Sequence, residues 1–375
     1  MRLDFLRPAY RRPGPVSTVY LDTSAAEDAA KAVELRWRAA RDRLVEQGAD
    51  AASLDAIEAA LRGHRRQIGR RGQVLVAAGG EVVFTDELPA PPHDLPAAEQ
   101  VRCGPVPHLM PYLARREPRV PHVVAVVDHV GADLTTVPAG GPPHSESVEG
   151  EEHPVHKAHA GKPENQQRHH LAVEERWKRN AGAVAAALGH RADQVRAELV
   201  VLAGDVQQRR LVRAELGKHL RDKVVEAESG HRERGSSTDR LCEEVDDAVR
   251  AIAAARAAEA VAQFEELRGR RGGAAEGWRG VVAALQRDQV RLVLRTGPAG
   301  DAELAIGPRP AEIAFDERAL RDLGIEPLGR VPADAAVLRA LVGDNAELVL
   351  ADPSSVAVTD GVGAVLRTAE TDVRS

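Results

Sequence analysis

Residues 159–188, HAGKPENQQRHHLAVEERWKRNAGAVAAAL, decide how this chain is read. A polar loop carrying Gly and Pro and dense in His, Lys, Asn and Gln runs into a charged helix expected over about residues 171–188. Glu174 precedes Lys178, and Glu175 precedes Arg179, by four positions, the acid-before-base order that supports a helix. A structural role therefore suffices for these acids. Adjacent glutamates on a helix point about 100° apart, which makes them poor partners for acid–base hydrolysis. Upstream, residues 138–167 are polar, rich in Gly, Pro and His, and without periodicity. A loop of that length is usually functional or disordered.

Working outward, VSTVYL at 16–21 reads as a strand, and Ser24 as the cap of a helix over about 25–47. Gly48 closes that helix, and a second is expected over about 53–68. QVLVAAGGEVVF at 73–84 is a hairpin turning on Gly79-Gly80. The Pro-rich run 89–107 reads as a surface connection. HVVAVVD at 122–128 pairs with 132–137 across Gly131, and 197–203 is a buried strand. A helix is expected over 211–220 and a short strand over 223–227. Residues 229–238 have linker composition, and 239–268 form a long Ala- and Glu-rich helix. Beyond it come a helix at 274–286, a strand at 290–294, a helix at 334–341 and strands at 346–350 and 362–366. The expected architecture is α/β and multidomain, in three parts: an α+β N domain (1–119), an α/β middle domain (120–230) and an α/β/α C domain (239–375).

Composition bounds the function. A formal charge of -6 rules out a global polycation, so any affinity for nucleic acid must come from local clusters. Cys103 and Cys242 are the only cysteines and stand far apart, which excludes a disulfide framework and zinc-finger spacing and fits a reducing cytoplasm. No window of about 18 apolar residues exists, and Asp, Arg and Pro interrupt the N-terminus too often for a signal-peptide core. Neither GxGxxG, a Walker loop nor GxSxG is present.

Two constellations reach beyond fold. Arg62, His64, Arg65, Arg66, Arg70 and Arg71 run with no acid among them. That is more charge than completing a helix dipole needs, and it points to phosphate contact with strong salt dependence. The second is the histidine-rich loop. His153, His156 and His159 recur every three residues, so a metal-dependent hydrolase is one reading; Pro154 and the lack of helical patterning oppose a single ligating face, and no metal or other cofactor is expected. The other reading is RNA, because His, Arg, Asn and Gln donate to phosphates and pair or stack with bases.

Taken together, these units resemble the archaeo-eukaryotic peptide-chain release factor family, which includes Pelota-type rescue factors. VSTVYLDTS with its two helices and hairpin resembles the family's N domain, and VVAVVDHVGADLTTV the opening of its middle domain. Arg168, Glu174 and Glu175 sit at the spacing of the RFxxxREE-type segment that follows the Gly-Gly-Gln loop. VVAALQRDQVRLVL, AELVLADP and DGVGAVLR resemble the L7Ae-like C domain. Two family motifs are missing. Gly161-Lys162-Pro163-Glu164-Asn165 stands where Gly-Gly-Gln belongs, and no Asn-Ile-Lys-Ser lies between the N-domain helices. Proline forbids conformations that paired glycines permit.

The chain thus resembles a bacterial branch without Gly-Gly-Gln, the Balon-like ribosome hibernation factors of actinobacterial type. That resemblance implies a cytoplasmic, monomeric, non-enzymatic stress factor in the vacant A site of the 70S ribosome, with its C domain at the stalk base. Elongation factor Tu is an associated partner of that branch, and no membrane is involved. The expected RNA contacts are Arg62, Arg65, Arg66, Arg70 and Arg71 at the small subunit, and Lys157, His159, Lys162, Asn165, Gln166, Gln167, Arg168, His169 and His170 toward the peptidyl-transferase centre. No residue is expected to be catalytic. The rival reading is a peptidyl-tRNA hydrolase or tRNA-cleaving rescue factor in which Asn165, Gln166 or Gln167 orients a water.

Overall fold

The computed structural model describes residues 1–12, 14–24, 29–63, 70–116, 119–149, 163–230, 238–269, 273–297 and 300–367; for 29–30, 163–174 and 238 it describes the backbone alone. The chain is a mixed α/β, multidomain protein. It divides into two compact units, one of residues 1–117 with 257–375 and one of 118–256.

The first unit opens with a 3-10 segment, Asp4–Tyr10, followed by β1 (Val16–Asp22), α1 (Ala29–Glu46), α2 (Ala51–Gly63), β2 (Gly72–Ala78) and β3 (Glu81–Leu88). The expected hairpin forms, with Val76 opposite Phe84 and positive φ at Gly79 and Gly80. The run 89–107 is more than a surface connection. It contains α3 (Ala97–Gln100) and β4 (Val101–Gly104), which pairs antiparallel with β1, and α4 (Met110–Arg115) follows. Sheet order is β3-β2-β1-β4. Alternate residues serve opposite faces: Val19, Leu21, Leu75 and Ala77 pack on Trp37, Leu44, Leu54 and Ile57 of the helices. Tyr20, Val74 and Val76 belong to the core on the other side. Asp50 caps α2 by accepting the Ser53 N–H, while the Ser53 hydroxyl accepts from Gly80 at the hairpin turn. The Ser24 hydroxyl, read as a cap, exchanges hydrogen bonds with the Arg71 backbone; residues 25–28, where its helix was expected to start, lie outside the described residues.

The second unit is built on β5 (His122–Val127), β6 (Gly131–Val137) and β7 (His144–Glu149), then α5 (Pro163–Val195), β8 (Leu199–Gly204), α6 (Val206–Glu215), α7 (Lys218–Arg221) and β9 (Val224–Glu226). Sheet order is β7-β6-β5-β8-β9; β8 runs parallel to both neighbours, and the β5–β6–β7 meander is antiparallel. Two expectations change. Part of the polar loop is β7, whose sequence HSESVE hides it: an exposed edge strand satisfies its backbone without an apolar face. The helix also begins at Pro163, not near residue 171, since proline lacks only an N–H that no helix uses in its first turn. The helix expected over 211–220 is instead α6 and α7. One sheet face packs Val123, Ala125 and Leu202 against Ala181, Val184 and Leu188 of α5. The other packs Val124, Val201 and Ala203 against Leu241, Val245 and Val249.

Those last three lie on α8 (Thr238–Arg268), a 31-residue helix whose residues up to Arg256 belong to the second unit and whose remainder belongs to the first. There follow β10 (Ala274–Glu276), α9 (Gly277–Gln286), β11 (Val290–Arg295), β12 (Glu303–Ile306), β13 (Ile313–Ala314), α10 (Glu317–Asp322), β14 (Gly329–Pro332), α11 (Ala333–Asp344), β15 (Glu347–Leu350) and β16 (Val362–Leu366). The segment 274–286, expected wholly helical, opens as strand β10 on the sheet β10-β16-β11-β15. A small sheet, β13-β12-β14, was not anticipated. Leu292 and Leu294 face Val261 and Phe264 of α8, while Val293 faces the side of Val281, Leu285 and α11. This is a three-layer α/β/α arrangement. Leu3, Leu6 and Ala9 join that last core, and Met1 exchanges backbone hydrogen bonds with Leu348.

Candidate functional site

Pro163 to Val195 is one 33-residue helix, about 50 Å long at 1.5 Å per residue. Among its described side chains, Asn180, Ala181, Val184, Leu188 and Ala192 are buried. The segment 163–176 accounts for about 21 Å of its length. Asn165, Gln166, Gln167, Arg168, His169 and His170 were expected on a loop and lie instead on this helical backbone. Lys157, His159 and Lys162 lie outside the described residues, as do His153 and His156. Among the described residues no cluster of His, Cys, Asp or Glu is arranged to hold a metal. Nor is any described helix long and apolar enough to cross a membrane.

The arginine run divides. Arg65 and Arg66 lie outside the described residues. Arg62 is exposed but ion-paired with Glu58 one turn earlier on α2, so the run is not free of acids in space. Arg70 and Arg71 are exposed just before β2. The Arg71 backbone is fixed by Ser24 and Thr23, which anchors both cations to the end of β1.

A constellation with no local sequence signature sits at the carboxyl ends of β5 and β8. Asp128-His129-Val130-Gly131 is a tight turn in which Asp128 Oδ1 accepts the N–H groups of Val130 and Gly131, both at 2.7 Å. Gly131 is required, because a Cβ there would stand 2.0 Å from the Val148 carbonyl oxygen. Beside the turn, the Asp205 N–H donates to the Val127 carbonyl, and Asp205 caps α6 by accepting the Gln208 N–H at 2.9 Å. His129 stacks on Trp177 with centroids 4.4 Å apart. The Gln208 amide, on a buried side chain, meets His129 Nδ1 at 3.0 Å, and Asn180 Nδ2 donates to the His129 carbonyl at 3.1 Å. Three elements thus converge on one imidazole. The only sequence signal was a tryptophan amid charges and an Ala-Gly-Asp strand end, and neither has metal or catalytic spacing.

The profile of bacterial archaeo-eukaryotic release factor family 2 matches residues 121–270. The uncharacterized protein Rv2629 of Mycobacterium tuberculosis H37Rv is 31% identical over 377 residues, covering 99% of this chain and 98% of its own. Among solved structures, the chain is similar to ribosome-bound archaeal Pelota at 14% identity, with 98% and 95% of the two chains covered and a TM-score of 0.41. It is similar to the archaeal termination factor aRF1 at 13% identity, with 96% of each chain covered and a TM-score of 0.24. The chain belongs to the bacterial archaeo-eukaryotic release factor family.

Proposed function

We propose that the protein is a ribosome hibernation factor, which occupies the vacant A site from decoding centre to peptidyl-transferase centre and blocks translation sterically. In this reading residues 1–119 face the small subunit, the 120–230 domain reaches the large-subunit active site, and the 239–375 domain meets the stalk base. Elongation factor Tu is a candidate escort. No bond is broken. Binding rests on shape and on phosphate neutralisation by exposed cations such as Arg70 and Arg71.

One observation supports this reading over hydrolysis. Asn165, Gln166 and Gln167 lie within the first five residues of α5, which begins at Pro163. A glutamine that orients an attacking water from a paired-glycine turn depends on backbone conformations open mainly to glycine. Helical backbone behind a proline has none of them.

Pelleting of the purified protein with vacant 70S ribosomes at low and high salt, followed by cryo-EM of the complex, tests the proposal. The expected result is A-site density with the N-terminal end of α5 toward the peptidyl-transferase centre, and no peptide release from stalled complexes. Release activity abolished by Gln166→Ala or Gln167→Ala would establish a rescue hydrolase instead. Absence of ribosome association at either salt would refute both.

A further inference from the structure

The stack at the carboxyl ends of β5 and β8 leaves one ring face open. His129 covers Trp177 with the two planes 20° from parallel. One edge of the imidazole is held as well: Nδ1 meets the Gln208 amide at 3.0 Å, while Nε2 stands 3.8 Å from Asp205 Oδ2. The side chain is nonetheless 45% exposed. With Nδ1 held by Gln208 and one face on Trp177, that exposure falls on the outer face and the Nε2 edge. A ring kept only for packing would be covered on both faces. This one is oriented by partners on α5 and α6 and left partly exposed.

The surroundings fit one class of ligand. Arg176 and Lys178 precede and follow Trp177 on α5, each pointing about 100° away from it, and Lys178 is exposed, so their long side chains reach to either side of the stack. Cations beside an open aromatic face are the combination that takes an unpaired nucleotide, with the base stacked and the phosphate neutralised. We propose that His129, backed by Trp177, is a stacking platform for one unpaired base of RNA, with Arg176 and Lys178 taking the adjoining phosphates. The inference rests on the ribosomal reading above and narrows it to a single base contact.

Trp37 and Trp278 are buried while Trp177 is half-buried, so tryptophan emission reports the stack. The test titrates the full-length protein with single-stranded hexaadenylate, and pellets the same variants with vacant 70S ribosomes. Binding should quench emission in the wild type and leave the quench absent in Trp177→Phe. His129→Ala should weaken hexaadenylate by about tenfold with an unchanged melting temperature, and His129→Tyr should retain binding. Equal affinity in His129→Ala overturns the platform, and so does failure of the wild type to bind hexaadenylate at low salt. An equal loss in His129→Tyr, with both variants melting early, assigns the ring a structural role and also overturns it. If the wild type fails to pellet while the His129-dependent quench persists, the platform stands and the ribosomal reading falls. Normal pelleting with a His129-independent titration gives the reverse.

Discussion

Arg191 of α5 grips Glu146 of β7 through two hydrogen bonds, 45 residues apart in sequence, and so ties the outermost strand of the meander to the helix. These hydrogen bonds hold the Glu146 carboxyl below the usual carboxylate range. A carboxyl lowered in the folded state adds stability above its unfolded pKa of about 4.3 and loses it as pH falls through the folded value. Glu146→Gln should therefore lower the melting temperature at pH 7, and the gap to wild type should close as pH drops below about 4. Thermal melts across that range check this; a gap independent of pH would sink it.

His108 works in the opposite chemical sense. Burial pushes its pKa from 6.5 to about 4, and among the described residues neither ring nitrogen has a hydrogen-bond partner. The unfolded chain binds this proton between those two values, while the folded chain binds it only near the lower one. Stability should be full above about pH 6.5, fall as pH drops toward 4, and level off below. The total change is on the order of 3 kcal/mol. Urea midpoints at pH 7 and pH 5 should differ in the wild type, and the difference should shrink in His108→Leu.

Arg295 is 1% exposed, and its Nε and Nη2 meet the two oxygens of Asp334 at 2.8 and 3.2 Å. The Gly361 carbonyl and the face of Trp278 hold the rest of the guanidinium. Asp334→Ala strands a buried cation and should cost about 3–5 kcal/mol in urea unfolding. The pair Arg295→Met with Asp334→Leu should recover much of that loss, because removing both charges removes the desolvation penalty. A double variant no better than the single one would refute this account.

Gly204 closes β8 at φ +97°, and a Cβ there would lie 2.1 Å from the Val127 carbonyl oxygen on the neighbouring strand. Gly204→Ala should cost more than the roughly 1–3 kcal/mol of backbone strain alone. It should also loosen the Asp205–Val127 hydrogen bond that positions the His129 cluster. Early melting together with altered Trp177 emission is the expected pair of readouts.

What was legible in the sequence was whatever carried an apolar run, a glycine turn or strong helix propensity. The β2–β3 hairpin followed from Gly79-Gly80 between apolar runs, β5 and β8 from continuous apolar runs, and the length of α8 from its Ala- and Glu-rich helix propensity. Strand β7 escaped because an edge strand needs no apolar face, and β4 because prolines on both sides mask its pairing with β1. The start of α5 escaped because polar residues ahead of the seated turns bear no packing signal. The His129 cluster joins residues 129, 177 and 208 by tertiary contact, which no local pattern records.

The arginine run supplies the remaining prediction. Arg62 already shares its charge with Glu58, whereas Arg70 and Arg71 are exposed and rest on a backbone anchored by Ser24. If the patch meets ribosomal phosphates, Arg70→Glu with Arg71→Glu should reduce co-sedimentation with vacant 70S ribosomes far more than Arg62→Glu does. The slope of log affinity against log salt should also fall by about one for each phosphate that is no longer neutralised. The single variant Arg62→Glu should shift the slope least, since it removes a charge that Glu58 partly neutralises. Equal pelleting and an unchanged salt slope in the double variant would take this face of the N domain out of the ribosome interface.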